Sequence, residues 1–114
     1  MRYRTLDKNW QFNRVYGRGK SYVHPHCVLY VAKNRLGYTR IGLTATKKVG
    51  HAVQRNRLRR QLREIYRLHE ASFVPGYDLV VVARSRAIGA DYAALEHAYL
   101  SLAARLGLLT QNTP

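Results

Sequence analysis

Six acidic residues stand against twenty lysines and arginines in this 114-residue chain, and that shortage is its first constraint. The acids are Asp7, Glu64, Glu70, Asp78, Asp91 and Glu96. They are scattered, with none of the D-x-D or E-x-K constellations that hold and activate water in metal-dependent hydrolysis. A hydrolase working through its own carboxylates is therefore not expected, and no catalytic residue is assigned. One cysteine, Cys27, allows no internal disulfide and fits a reducing compartment. His24, His26 and Cys27 form the one ligand-like cluster, but strand alternation sends Cys27 to the opposite side from the histidines and no fourth ligand follows. No protein-held metal is expected. Apolar stretches such as 79–83 fall far short of the ~20 residues that span a bilayer, and the opening MRYRTLDKNW has no apolar leader. Repeats, low-complexity tracts and linkers are also lacking. The expectation is one domain over residues 1–114, cytoplasmic, with no membrane partner.

What is abundant is positive charge, and it is unevenly placed. Residues 1–46 carry nine Lys/Arg against one acid, residues 47–67 eight against one, and residues 68–114 three against four. Nearly all of the net +14 thus precedes Leu68. Self-repulsion of that size destabilises a compact state unless a polyanion relieves it.

Thr5 or Asp7 is suited to cap a short helix holding Trp10, Phe12, Val15 and Tyr16, ended by Gly17 and Gly19. HCVLYVA (26–32) reads as a strand, Asn34-Arg35-Leu36-Gly37 as a turn, and YTRIGLTAT (38–46) as its hairpin partner. In the second strand Ile41, Leu43 and Ala45 alternate with Arg40, Gly42 and Thr44, giving one apolar face. A long helix follows from about Ala52 to His69, and Pro75-Gly76 ends that segment. The continuous apolar run 79–83 reads as a central strand. A last helix starts at Asp91 as N-cap and ends at Gly107, with Tyr92, Leu95, Tyr99, Leu102 and Leu106 on one stripe. The order helix–strands–helix–strand–helix points to an α+β or α/β sandwich.

The segment KKVGHAVQRNRLRRQLREIYR (47–67) carries the chemistry. At 100° per residue, Leu58, Leu62, Ile65, Tyr66 and His69 form a core stripe. Asn56, Arg59, Arg60, Arg63 and Arg67 gather on the other side, with Arg55 and Arg57 at the edges. Guanidinium groups grip phosphate oxygens in pairs, stack on bases and keep their charge. Asn56 adds a donor and an acceptor for a base edge or a 2′-hydroxyl. Glu64 is the sole acid, so helical ion pairs do not consume the arginines. Lys47 and Lys48, just before the helix, are placed to meet phosphates as point charges. Together these residues predict a nucleic-acid surface.

Phe12 and Tyr16 are four apart on the first helix and share a face, and Tyr30 lies on the first strand. Such rings either pack a core or stack on unpaired bases; spacing alone leaves both open.

These residues resemble a known family. Arg55-Asn56-Arg57, Leu58-Arg59-Arg60 and Arg63-Glu64, preceded by GLTATKKVG and Ala52-Val53, resemble the RNR signature of the bacterial ribonuclease P protein component. Leu6, Phe12, Val15-Tyr16, Gly19-Lys20, Val28-Leu29-Tyr30 and the run Tyr77-Asp78-Leu79-Val80-Val81-Val82-Ala83 are similar to it as well. Trp10 stands where a polar residue is expected, and Tyr16 where phenylalanine is commoner. The resemblance implies an α+β fold like ribosomal protein S5 domain 2, a two-layer sandwich in the order α-β-β-(β)-α-β-α, with a left-handed β-α-β crossover around the RNR helix. That hand is rare for such connections. It implies a holoenzyme, ribonuclease P, in which a catalytic RNA removes the 5′ leader of precursor tRNA with Mg2+ held chiefly by RNA. The protein would be non-catalytic. Lys47, Lys48, Arg55, Asn56, Arg57, Arg59, Arg60, Arg63 and Arg67 would face the catalytic RNA, and Phe12, Tyr16 and Tyr30 would line the leader cleft.

The alternatives are a general RNA-binding or ribosome-associated protein, a DNA-binding basic helix and a membrane-surface helix. A zipper-type DNA reader needs leucine heptads where Pro75-Gly76 stands. A membrane helix needs a free apolar face, which here must cover the sheet.

Overall fold

The computed structural model describes residues 3–110. In chain order its elements are β1 (Tyr3–Thr5), α1 (Asn9–Arg18), β2 (Lys20–Val23), β3 (Cys27–Lys33), β4 (Thr39–Thr44), α2 (Ala52–His69), β5 (Tyr77–Ala83) and α3 (Tyr92–Arg105). Short 3-10 turns, Glu70–Ser72 and Ser85–Ala87, flank β5. The five strands form one mixed sheet in the order β1-β4-β5-β3-β2. β4 and β5 are adjacent and parallel, joined by the α2 crossover, and β1 adds in parallel to β4. β3 runs antiparallel to both β5 and β2.

The expected hairpin between the segments at 26–32 and 38–46 does not form, because β5 lies between them. Its run is apolar on both faces, so burial selects it for the centre. β3 makes its hairpin with β2 instead, through residues 24–26. Asn34-Arg35-Leu36-Gly37 does turn, but it carries the chain past the end of β5. Asn34 fixes it: its Nδ2 donates to the Tyr38 carbonyl at 3.0 Å and to Asp78 Oδ1 at 2.9 Å, and its Oδ1 accepts the Leu36 N–H at 2.8 Å. Arg40 completes the network with a fork onto Asp78, Nε to Oδ1 at 2.8 Å and Nη2 to Oδ2 at 2.7 Å. Asp78 is 2% exposed, so this paired geometry is what makes its charge tolerable.

Register sorts the side chains. Leu29, Val31, Ile41, Leu79 and Val81 face one way, against Leu62, Ile65 and Tyr66 of α2 and Leu95, Tyr99 and Leu102 of α3. On the other face Val80 packs with Leu6 and with Val15 of α1, backed by partly buried Phe12, Tyr30 and Val82. Gly42 is required there: a Cβ would lie 2.5 Å from the Phe12 ring.

Helix ends show two differences. Neither Thr5 nor Asp7 caps α1. Thr5 joins β1, and the Gln11 side chain folds back to accept the Asp7 and Lys8 N–H groups at 2.9 and 3.0 Å. Gly17 stays inside the last turn, and Gly19 ends it. Gln54 serves α2 as Gln11 serves α1, accepting the His51 N–H at 2.8 Å. Asp91 caps α3 as expected, accepting from Ala94 N–H at 2.8 Å.

Candidate nucleic-acid interface

α2 runs over the expected residues, Ala52–His69, and buries Leu58, Leu62, Ile65 and Tyr66 against the sheet. Its polar side divides into two functional groups. Arg55 is half-buried, with Nη1 donating to the Gly50 carbonyl at 2.8 Å. Arg59 donates to Asn56 Oδ1 at 2.8 Å and to the Ala45 carbonyl at 3.1 Å. These two arginines brace the loop between β4 and α2. Asn56 is exposed with its carbonyl engaged by Arg59, which leaves its NH2 group without a partner among the described residues.

Arg57, Arg60 and Arg63 are exposed and have no partner among the described residues. Lys47 and Lys48 are likewise exposed, in the turn closed by Val49 N–H to the Thr46 carbonyl at 2.9 Å. Arg67 pairs with Glu64 one turn away, its Nε to Oε1 at 2.6 Å, and this bond raises the guanidinium above its ordinary value. The surface therefore offers five uncommitted cations, with Arg55, Arg59 and Arg67 held by the protein itself.

Of Phe12, Tyr16 and Tyr30, the structure brings two into ring contact. Tyr16 and Tyr30 meet edge to face, 4.8 Å between centroids, and Tyr16 is 38% exposed. Phe12 instead turns inward over Gly42 and packs the small core. Beside the tyrosines, exposed Val23 and partly buried Val28 and Val82 leave an apolar strip of sheet that α1 does not cover. Residue spacing missed these valines; the one signal was the alternation of Val28 with buried Cys27 and Leu29 on β3. Trp10 is 57% exposed, so it does not cover the core.

Cys27 is buried, and burial pushes its thiol up to about 12, which keeps it protonated and unreactive at neutral pH. Among the described residues no three His, Cys, Asp or Glu side chains converge to hold a metal. No helix described is long and apolar enough to cross a membrane.

The backbone arrangement that carries this helix and sheet is shared with solved structures. The Ribonuclease P family model matches residues 1–107. This chain belongs to the ribonuclease P protein family. The ribonuclease P protein component of Natranaerobius thermophilus is 44% identical over 108 residues, 95% of this chain and 94% of that one. That of Clostridium botulinum strain Loch Maree is 41% identical over 109 residues, covering 95% and 98%. Among solved structures, the Staphylococcus aureus RNase P protein superposes with a TM-score of 0.86 at 26% identity, over 93% of this chain and 97% of that one. The Thermotoga maritima RNase P protein gives 0.78 at 29% identity, over 85% and 92%. The α+β architecture of this chain is thus that of the bacterial family.

Proposed function

We propose that this chain is the cytoplasmic protein subunit of ribonuclease P, a single RNA-binding domain that assists a catalytic RNA in removing the 5′ leader of precursor tRNA. The observation that carries the reading is the set Arg57, Arg60 and Arg63, exposed and unpaired on a helix whose opposite face is buried. In this reading those arginines, with Lys47 and Lys48, neutralise phosphates of the catalytic RNA and release its counterions. Asn56 presents its amide to a base edge or 2′-hydroxyl. Arg55 and Arg59 hold the lysine-bearing loop in place, and Arg67 adds charge at the far end.

Tyr16 and Tyr30, with Phe12 behind them, offer ring surface to the unpaired leader. The protein provides affinity and positioning and no general acid or base. Its six dispersed acids do not suit a tightly held Mg2+, and the ions belong with RNA phosphates. A general RNA-binding module would share the arginine face but has no reason to assist cleavage.

The test is precursor-tRNA cleavage by a bacterial ribonuclease P RNA at low magnesium. It compares added protein, no protein, protein alone and Arg60→Ala/Arg63→Ala. The structure selects this pair, because replacing Arg59 would also release the Ala45 carbonyl. Restored 5′ cleavage with wild type, impaired cleavage with the variant and none with protein alone is expected. Cleavage by protein alone would overturn the non-catalytic assignment. RNA binding without assistance would leave only a general RNA-binding module.

A further inference from the structure

Two adjoining depressions lie along the side of α2, between it and the chain that leads from β5 into α3. Both are bounded by Arg57 and Gln61. The larger, about 500 Å³, reaches over Leu58, Ala87 and Ile88 to Gly89. The smaller, about 310 Å³, is walled by Arg60, Glu64 and Tyr92. Both sizes fall within the roughly 300–1,000 Å³ of small-ligand clefts. We propose that this groove is a pocket for one unstacked guanine nucleotide of the bound RNA; the proposal rests on the RNA-binding reading of α2 and deepens it.

The floor is apolar, with Leu58 and Ala87 buried and Ile88 partly so, which suits the flat face of a base. Gly89 stands at the rim at φ 83° with nothing within 4 Å of where a Cβ would be, so the rim is low and open. Arg57 and Arg60 are free to stack on the base or to hold its phosphate.

The identity of the base follows from Glu64. An acid on a surface built only for phosphate works against binding, yet Glu64 sits in the groove wall. Both Arg67 contacts fall on its Oε1, leaving Oε2 without a partner among the described residues. A carboxylate only accepts hydrogen bonds. Guanine presents two adjacent donors, N1–H and N2–H, on its Watson–Crick edge. Adenine and cytosine pair one donor with an acceptor there, and uracil flanks its one donor with acceptors. Gln61 beside it has both an amide donor and an acceptor, which suits the guanine O6 next to N1–H. Tyr92 adds an aromatic ring to the wall of the same depression, a surface on which a base can stack.

The experiment is an NMR titration of ¹⁵N-labelled protein, in phosphate-free buffer, with GMP, AMP, CMP, UMP and inorganic phosphate in turn. GMP is expected to move the Gln61, Glu64, Ile88 and Gly89 amides at concentrations where the other nucleotides do not. Glu64→Gln is expected to weaken GMP roughly tenfold or more, the scale of one charge-assisted hydrogen bond, and to remove the base preference. Equal shifts from all four nucleotides, or the same shifts from inorganic phosphate, would overturn the guanine pocket. RNA affinity of Arg60→Ala/Arg63→Ala separates the two readings. Unchanged affinity overturns the arginine face and the pocket with it. Lost affinity without guanine preference overturns the pocket alone.

Discussion

The face of the sheet beneath α2 and α3 buries Leu62, Ile65, Tyr66, Leu95, Tyr99 and Leu102 against β3, β4 and β5. Among the described residues, the apolar side chains buried on the α1 face are Leu6, Val15 and Val80, while Tyr16 and Val23 stay exposed. One helix of ten residues cannot cover five strands, so the uncovered strip remains available to a ligand. The covered face carries stability and shows its partner only the outer side of α2. The open face gives up burial and gains a surface where aromatic rings reach solvent. A small RNA-binding protein can thus separate folding from recognition by dividing one sheet between them.

The sharpest way to break that comparison is to hollow the covered face. Leu62 is fully buried, and Leu62→Ala is expected to cost about 2–5 kcal/mol, the transfer term plus the cavity left behind. Urea unfolding measures it. RNA affinity should return to the wild-type value wherever the variant remains folded, since Leu62 faces away from every exposed arginine. Weaker binding by fully folded Leu62→Ala would show that the two roles are not separate.

Removing a ring from the open face should do the reverse. Tyr16→Ala takes away one of two tyrosines that meet edge to face at a partly exposed site and should leave the urea midpoint almost unchanged. One base stack is worth about 1–3 kcal/mol, so affinity of the holoenzyme for a precursor tRNA with a long leader should fall roughly 5- to 150-fold. Affinity for mature tRNA should not change. A large stability loss with no leader effect would make this face a second core.

Much of this division was legible in sequence. The α2 boundaries and its buried stripe follow from a 3.6-residue period sustained over 18 residues, and Asp91 announces α3. The central place of β5 follows from its unbroken apolar run. Strand pairing was not legible, because Asn34-Arg35-Leu36-Gly37 signals a turn without saying whether the strands around it pair. That choice depends on β5, 44 residues away along the Asn34–Asp78 contact. β1, three residues long, is too short to show a period. A helical wheel gave the angles of Arg55 and Arg59 but not the reach of their side chains back to Gly50 and Ala45. The groove was hidden too, since residues 87–92 meet 57–64 only after folding.

The smallest expected effect lies at the margin of the covered face, where the 24–26 connection meets α3. His24 Nδ1 accepts the His26 backbone N–H at 3.1 Å and lies 3.3 Å from His26 Nδ1, while Arg84 donates to the His24 carbonyl at 3.3 Å. Burial first, and then the charges of His26 and of His97 on α3, hold His24 below its ordinary value of 6.5. As pH falls through that value the unfolded chain takes up the proton before the folded one does. Stability is therefore full above about 6.5 and declines as pH falls toward the lowered folded value. His24→Gln removes the titrating group, so its urea midpoint should drop less than wild type between about pH 7.5 and about pH 5.5. The carboxylates and the His69–Glu96 pair are common to both proteins and cancel in the difference. Equal drops would mean that the His24 ring reorients on protonation at no cost. The covered face would then have no proton-sensitive margin at this connection, and its stability would rest on apolar packing there as elsewhere.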